Sequence, residues 1–192
     1  MADSSRADDI KAAALELFTR LGYQATTMAD IGAAVGIRGP SLYKHVASKQ
    51  DLLVQIMTGT MTDLLSAHRA AVATTGDPTE RLRRATEAHV RYHARHRLEA
   101  FVGNREIRNL VEPHRGTVLG LRAEYESCFR DVVDAGIRVG HFQVASARLA
   151  SYAILDLGIG LSSWYREDGE LTEDAVVWQY SAFALSIVGA ST

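Results

Sequence analysis

Cysteine, proline and net charge are all scarce in this chain of 192 residues, and each scarcity removes a class of protein. Cys128 is the only cysteine, which excludes an internal disulfide and a cysteine-based zinc finger and leads us to expect a reducing, cytoplasmic setting. Its neighbours Tyr125 and Phe129 mark it as a small buried apolar residue rather than a nucleophile. Three prolines leave room for long uninterrupted helices. No apolar run reaches the roughly 18 residues that a membrane-spanning helix needs. No apolar stretch precedes Ile10, so neither a membrane span nor a signal peptide is expected. Val, Ile and Thr nowhere alternate with polar residues over a strand length, so no strand is predicted. The net charge of −2 supplies no general field for a polyanion, and any DNA binding must come from a local basic surface.

Helical periodicity is what remains, and it begins early. Ile10, Ala14, Leu17, Phe18 and Leu21 share one face of a helix that Gly22 stops. Thr27, with Asp30 three residues on, forms a capping box for a short second helix whose inner face is Ile31, Ala34 and Val35. Gly36 closes that helix, and Pro40 suits the first position of a third, Ser41 to His45. Ser48 and Asp51 then start a fourth helix with an apolar face running from Leu52 to Leu65. The polar turn Thr74 to Pro78 follows, and longer helices are predicted at about 79–96, 98–109, 113–138, 146–165 and 172–189, the last capped by Thr172. The fold class is therefore all-α, with about nine helices.

Met28 to His45 meets the needs of a helix-turn-helix: a support helix, a tight turn and a recognition helix with a polar outer face. Ile31, Val35, Ile37 and Leu42 lock the two helices together, leaving Arg38, Ser41, Tyr43, Lys44 and His45 facing out as donors for base edges and phosphates. The competing reading is a short solvated helix in an ordinary bundle. Further on, residues 81–108 hold eight arginines against three glutamates, interleaved with Tyr92 and Phe101. Such a run suits a phosphate- or carboxylate-bearing ligand, or else is a solvated face paired with acids elsewhere. His89, His93 and His96 have helical spacing, but five neighbouring arginines argue against a metal there. The last helix, with Val176, Val177, Trp178, Tyr180, Phe183, Leu185 and Ile187, is apolar almost all round and asks to be covered on every side. The helix before it offers the small residues Ala150, Ala153, Gly158 and Gly160 for close contact. A dimer seam on these two helices fits, as does a central core helix in a monomer. No G-x-S-x-G, glycine-rich phosphate loop or H-E-x-x-H occurs, so a small helical enzyme is the least favoured class.

The stretch Ala13 to Leu53, AALELFTRLGYQATTMADIGAAVGIRGPSLYKHVASKQDLL, resembles the DNA-binding domain of the tetracycline-repressor (TetR) family almost position by position. One departure is Val46, where the family usually has Phe after the recognition-helix histidine. The resemblance implies a helix-turn-helix domain over 1–50 and an effector-binding and dimerisation domain over 51–192. It implies that Thr27 anchors a phosphate, that Arg38, Ser41 and Lys44 read base edges, and that Tyr43, His45 and Lys49 grip phosphates. The function implied is a repressor that binds palindromic operator DNA as a homodimer and leaves it when a small molecule binds. An activator or a ligand-independent regulator is the alternative. Two later stretches, YHARHRLEAFVGNREIRNL and GIGLSSWYREDGELT, resemble effector domains of members that respond to acyl-CoA thioesters of fatty-acid or sterol-ring catabolism. That second resemblance implies Phe101, Asn104, Arg105, Arg108, Trp164 and Arg166 as ligand-binding residues, with no cofactor and no metal.

Overall fold

The computed structural model describes residues 2–190, and side chains from residue 6 onward. Among the described residues there are nine α-helices, one short 3-10 turn and no strand. In chain order they are α1 (Ala2–Leu21), α2 (Met28–Ala34), α3 (Gly39–Leu42), α4 (Lys49–Val72), α5 (Pro78–Arg95), α6 (Arg97–Glu106), α7 (His114–Arg138), α8 (Ala147–Trp164) and α9 (Glu173–Ile187). The 3-10 turn Ile107–Asn109 follows α6. Helices α5, α7, α8 and α9 start and stop within two residues of the expected bounds, whereas α6 ends at Glu106, three residues early, where the chain tightens into the 3-10 turn. Asp77 accepts from the Glu80 amide at 2.9 Å, Ser146 from Leu149 at 3.3 Å and Thr172 from Ala175 at 3.3 Å. No helix among the described residues is long and apolar enough to cross a membrane.

The chain packs as two compact units: Met1–Thr60 with Leu98–Leu119, and Met61–Arg97 with Gly120–Thr192. In the first, Ile10, Ala14, Leu17 and Phe18 of α1 meet Ile31, Leu42 and Val46 of the α2–α3 region and Leu52, Leu53 and Ile56 of α4, with Val102, Leu110 and Val118 closing the cluster. Phe18 is 1% exposed and touches Tyr23 edge-on, ring centroids 5.2 Å apart. Ala34, which periodicity assigns to the inner face of α2, is exposed instead: this seven-residue helix buries Ile31 and Gly32 and packs Met28 partly against the core. Val46 is buried in the same core, so the smaller side chain still plugs it.

The second unit is built on α5, which lies against both α8 and α9. Its inner face is not purely apolar. Thr86, His89 and His93 are buried there between Leu82, Ala85 and Val90, and His68 of α4 joins them against Phe129 and Tyr125 of α7. His89 Nε2 lies 3.0 Å from the Leu155 carbonyl, which can only accept, so Nε2 carries the proton and Nδ1 accepts from the Tyr125 hydroxyl at 3.0 Å. Gly158 makes room for that ring, since a Cβ there would collide with it. Gly158 and Ala150 thus face inward and do not belong to an outer contact stripe, while Ala153 is exposed. Ion pairs tie α5 to the start of α9: Arg91 to Glu173 and Asp174, and Arg95 to Glu173.

Burial keeps these imidazoles neutral. It pushes His68 and His89 down to about 4 and His93 well below its ordinary value. Below pH 6.5 the unfolded chain therefore binds protons that the folded chain refuses, until pH approaches 4. Stability is full above that window and falls through it, by about 1 kcal/mol per pH unit for each histidine. Urea denaturation at pH 7 and pH 5 should show a markedly lower midpoint at pH 5. Equal midpoints contradict the neutral burial.

Candidate nucleic-acid interface

The reading element is assembled from local bonds. Thr27 is extended and caps α2: its hydroxyl accepts the Asp30 amide at 3.1 Å and donates to the Asp30 carboxylate at 2.6 Å, and the Thr27 amide donates to the same carboxylate at 2.8 Å. These bonds hold the Asp30 carboxyl below its usual range. The Thr27 hydroxyl proton is thus spent on Asp30, and the cap fixes where α2 begins. Gly36 takes a φ of +68° to turn the chain, and Gly32 lets it return close, the Ile37 amide donating to the Gly32 carbonyl at 2.8 Å.

The recognition helix is shorter and earlier than periodicity predicts: α3 covers Gly39–Leu42, with Pro40 in its first turn. Tyr43, Lys44 and His45 form tight turns beyond it, with the Lys44 amide on the Ser41 carbonyl and the His45 amide on Leu42. Leu42 and Val46, four residues apart and both buried, fix the rotation of this segment. Arg38, Ser41, Tyr43 and Lys44 are consequently exposed and His45 half-buried. Neither Arg38 nor Lys44 has a carboxylate partner among the described residues, so a compact cationic and hydroxylated surface is left for an outside anion.

Lys49 does something the resemblance does not imply. Its ammonium points back to the turn after α1 and donates to the carbonyls of Tyr23 at 2.7 Å, Thr26 at 2.7 Å and Gln24 at 3.4 Å. It also lies 4.3 Å from the Tyr23 ring centre. All three of its N–H groups are accounted for, and burial lowers its pKa. As placed, Lys49 staples α4 to the turn that leads into α2.

The residues expected to bind an effector divide between the two units. Phe101, Asn104, Arg105 and Arg108 belong to the first, where the last three are exposed and Arg105 lies over the Phe101 ring at 5.4 Å. Trp164 and Arg166, both exposed, belong to the second. Half of the eight arginines in the basic run, Arg83, Arg84, Arg91 and Arg95, are neutralised by acids. Arg83 and Arg84 bond Glu80, Arg83 also bonds Glu87, and these guanidiniums hold the Glu80 carboxyl down to about 2. Counting charges over 81–108 overlooked Glu80, Glu173 and Asp174, which lie outside that window. Sequence reasoning also missed a polar group inside the second unit: His68 Nε2, Thr86 Oγ1 and both nitrogens of His93 are buried without a hydrogen-bond partner. The signal was present in Thr86, His89 and His93, which recur at three and four residues on the apolar face of α5. No group of three or more His, Cys, Asp or Glu among the described residues is placed to hold a metal.

On the outer side of α8 and α9, Leu149 and Trp178 are each 68% exposed, and Tyr152, Trp164 and Phe183 are more than 40% exposed. The opposite face of α9, Val176, Val177, Ala184 and Val188, is buried within the unit, and Leu185 packs partly against that core. An uncovered aromatic face of this kind marks an interaction surface.

A capped support helix, a glycine turn and a cationic recognition segment, carried ahead of a larger helical unit, define a helix-turn-helix transcriptional regulator. Residues 10–56 match the family of bacterial regulatory proteins described as the tetR family, and residues 75–188 match the tetracyclin repressor-like C-terminal domain. The chain belongs to the TetR family, whose members are transcriptional regulators and not enzymes. It is 32% identical to the HTH-type transcriptional repressor KstR2 of Rhodococcus jostii, over 95% of this chain and 90% of that protein. A tetR-family regulatory protein from Rhodococcus RHA1 has a similar crystal structure, with a TM-score of 0.91 at 30% identity, covering 97% of this chain and 98% of that one. The ketosteroid transcriptional regulator KstR2 of Mycobacterium tuberculosis aligns with a TM-score of 0.88 at 28% identity, over 97% of this chain and 95% of that one.

Removing the Lys49 ammonium strands three carbonyls at the head. Lys49→Met should lower stability by about 1–3 kcal/mol in urea titration, and Lys49→Arg should recover part of it. An unchanged midpoint in Lys49→Met rules out the staple.

Proposed function

We propose that this chain is a cytoplasmic repressor that binds palindromic operator DNA as a homodimer and is released by an effector, an acyl-CoA thioester. The observation that carries the DNA-binding half is the exposed surface of Arg38, Ser41, Tyr43 and Lys44, which has no acidic partner among the described residues and is held in place by the buried Leu42 and Val46. Arg38, Ser41 and Lys44 meet base edges, while Tyr43, His45 and the capped α2 start at Thr27 meet the backbone. In this reading residues 1–50 form the DNA-reading domain and 51–192 the effector-binding and dimerisation domain. The aromatic outer face of α8 and α9 supports a two-fold partner, because a self-complementary patch is what such symmetry uses.

The effector half rests on different residues. His68 lies against Phe129 and Tyr125 and His93 against Tyr92, and their unpartnered ring nitrogens, with the buried Thr86 hydroxyl, suit an apolar body that carries an oxygen function. The similarity to a protein described as a ketosteroid transcriptional regulator supports the same chemistry. Within the second unit, Trp164 and Arg166 line the ligand's approach; Phe101, Asn104, Arg105 and Arg108 form a separate group within the first unit, suited to phosphate or carboxylate oxygens. Release is a population shift, in which the ligand binds best to a spacing of the two heads that no longer fits the groove. Helix α4 carries the change, since it begins at the Lys49 staple and runs on to Met61, Leu64 and Leu65 in the second core.

The test is anisotropy of a labelled duplex taken from upstream of the chain's own gene. We expect binding with half-sites about one helical turn apart, or a small multiple of that. Micromolar acyl-CoA should cause release, whereas the matching free acids should do so poorly. Arg38→Ala should relax base preference at a cost of about 1–3 kcal/mol. Equal release by free acids removes the CoA requirement, and ligand-enhanced binding makes the protein an activator. Trp178→Arg and Phe183→Arg should give monomers in light scattering that bind the operator weakly. Dimers that persist in both variants place the seam elsewhere.

A further inference from the structure

Arg105 and Arg108 differ from half of the arginines in the basic run, and from Arg81 and Arg97 in lining a cleft. Arg83, Arg84, Arg91 and Arg95 are all held by carboxylates. Arg105 and Arg108 have no such partner among the described residues, and both line a cleft of about 300 Å³ within the first unit. The other wall of that cleft is the end of α1 and the turn after it, from Phe18 to Ala25. It brings a third guanidinium, Arg20, also exposed and also without a carboxylate partner among the described residues. Glu106 is the one acid in the lining. It is buried and already engaged, accepting from Asn109 Nδ2 at 2.6 Å. Asn109 Oδ1 in turn accepts from Gln24 Nε2 at 2.6 Å.

Three unpaired guanidiniums facing one concavity repel one another until an anion enters, and their planar forks match phosphate oxygens. We propose that this cleft is a phosphate-binding site through which a phosphorylated effector acts directly on the DNA-reading head, with Arg20, Arg105 and Arg108 as its ligands. The proposal rests on the acyl-CoA reading above and extends it. It adds Arg20, a residue of the DNA-binding match at 10–56, to two residues of the C-terminal match at 75–188. A duplex backbone fits the cleft less well, because a carboxylate sits in its lining and the arginines converge on a hollow rather than form an exposed track. The hydrogen-bond chain supplies the transmission. Gln24 stands three residues ahead of the Thr27 cap, so a phosphate gathered between Arg20 and Arg105 moves the turn that carries α2.

Isothermal titration of coenzyme A, pyrophosphate and inorganic phosphate into the full-length protein tests the site, with thermal melts confirming that each variant is folded. Coenzyme A and pyrophosphate should bind. Arg20→Gln, Arg105→Gln and Arg108→Gln should each weaken binding about tenfold or more, while the exposed, charge-matched control Arg138→Gln leaves it unchanged. Binding by pyrophosphate as tight as by coenzyme A assigns the site to phosphate alone, and tighter coenzyme A assigns it to the nucleotide; both support the cleft. Failure of all three probes to bind at millimolar concentration overturns it. So does a result in which the cleft variants bind the probes normally and only flatten the salt dependence of DNA binding, which hands the arginines to the operator backbone. An acyl-CoA that releases wild type and all three variants at one concentration also overturns the cleft, yet leaves the effector reading standing. Probe binding through the arginines with no acyl-CoA effect on DNA keeps the cleft and removes the effector reading.

Discussion

The Lys49 ammonium stands where α1 has ended, where the turn toward α2 runs and where α4 begins, and its three protons go to three carbonyls of that turn. Those carbonyls belong to a stretch with no helical partners for them, between the stop at Gly22 and the cap at Thr27. Without a donor they would have to turn to water, and the turn would lose its shape. With the ammonium in place, α4 is fastened to the approach to α2, and every later feature of the reading surface inherits that position. The capping box sets where α2 starts, Gly36 sets the bend, and Leu42 and Val46 set which side of the recognition segment faces outward.

The same fastening gives α4 its mechanical meaning. In the proposed release mechanism, α4, a helix of 24 residues, would carry a tilt along its length, and the staple at its first turn would pass that tilt to the head. The second unit holds the polar interior on which that proposal rests. Its interior keeps three neutral imidazoles and a hydroxyl among aromatic rings, a costly choice for a purely structural core, since unsatisfied buried donors and acceptors oppose folding. Elsewhere the unit is held firmly, with Arg91 and Arg95 clasping Glu173 and with His89 fully bonded between Tyr125 and Leu155.

How much of this was legible in the sequence depends on how local each interaction is. Caps and breakers act over three or four residues, so Thr27, Ser48 and Thr172 marked helix starts correctly, and Gly22 and Gly36 marked stops. The helix-turn-helix was legible because its lock, Ile31 against Leu42, spans a short loop. Bonds between distant residues were not legible. Nothing in a linear charge count reveals that Arg91 reaches Glu173, or that the Lys49 ammonium bonds the carbonyls of the turn at residues 23 to 26. Gly158 read as a helix-contact residue and is instead the space that His89 occupies. The recognition helix was drawn too long because periodicity does not register the switch to tight turns after Leu42.

Selection of duplexes from a random-sequence pool by the wild-type chain tests the central claim most directly, because it presumes neither an operator nor an effector. The account predicts enrichment of one inverted repeat, with information concentrated in two half-sites about one helical turn apart or a small multiple of that, and loss of that information when Arg38 and Lys44 are both replaced by alanine. A pool that gains no sequence preference, or enrichment that survives the double substitution unchanged, contradicts it.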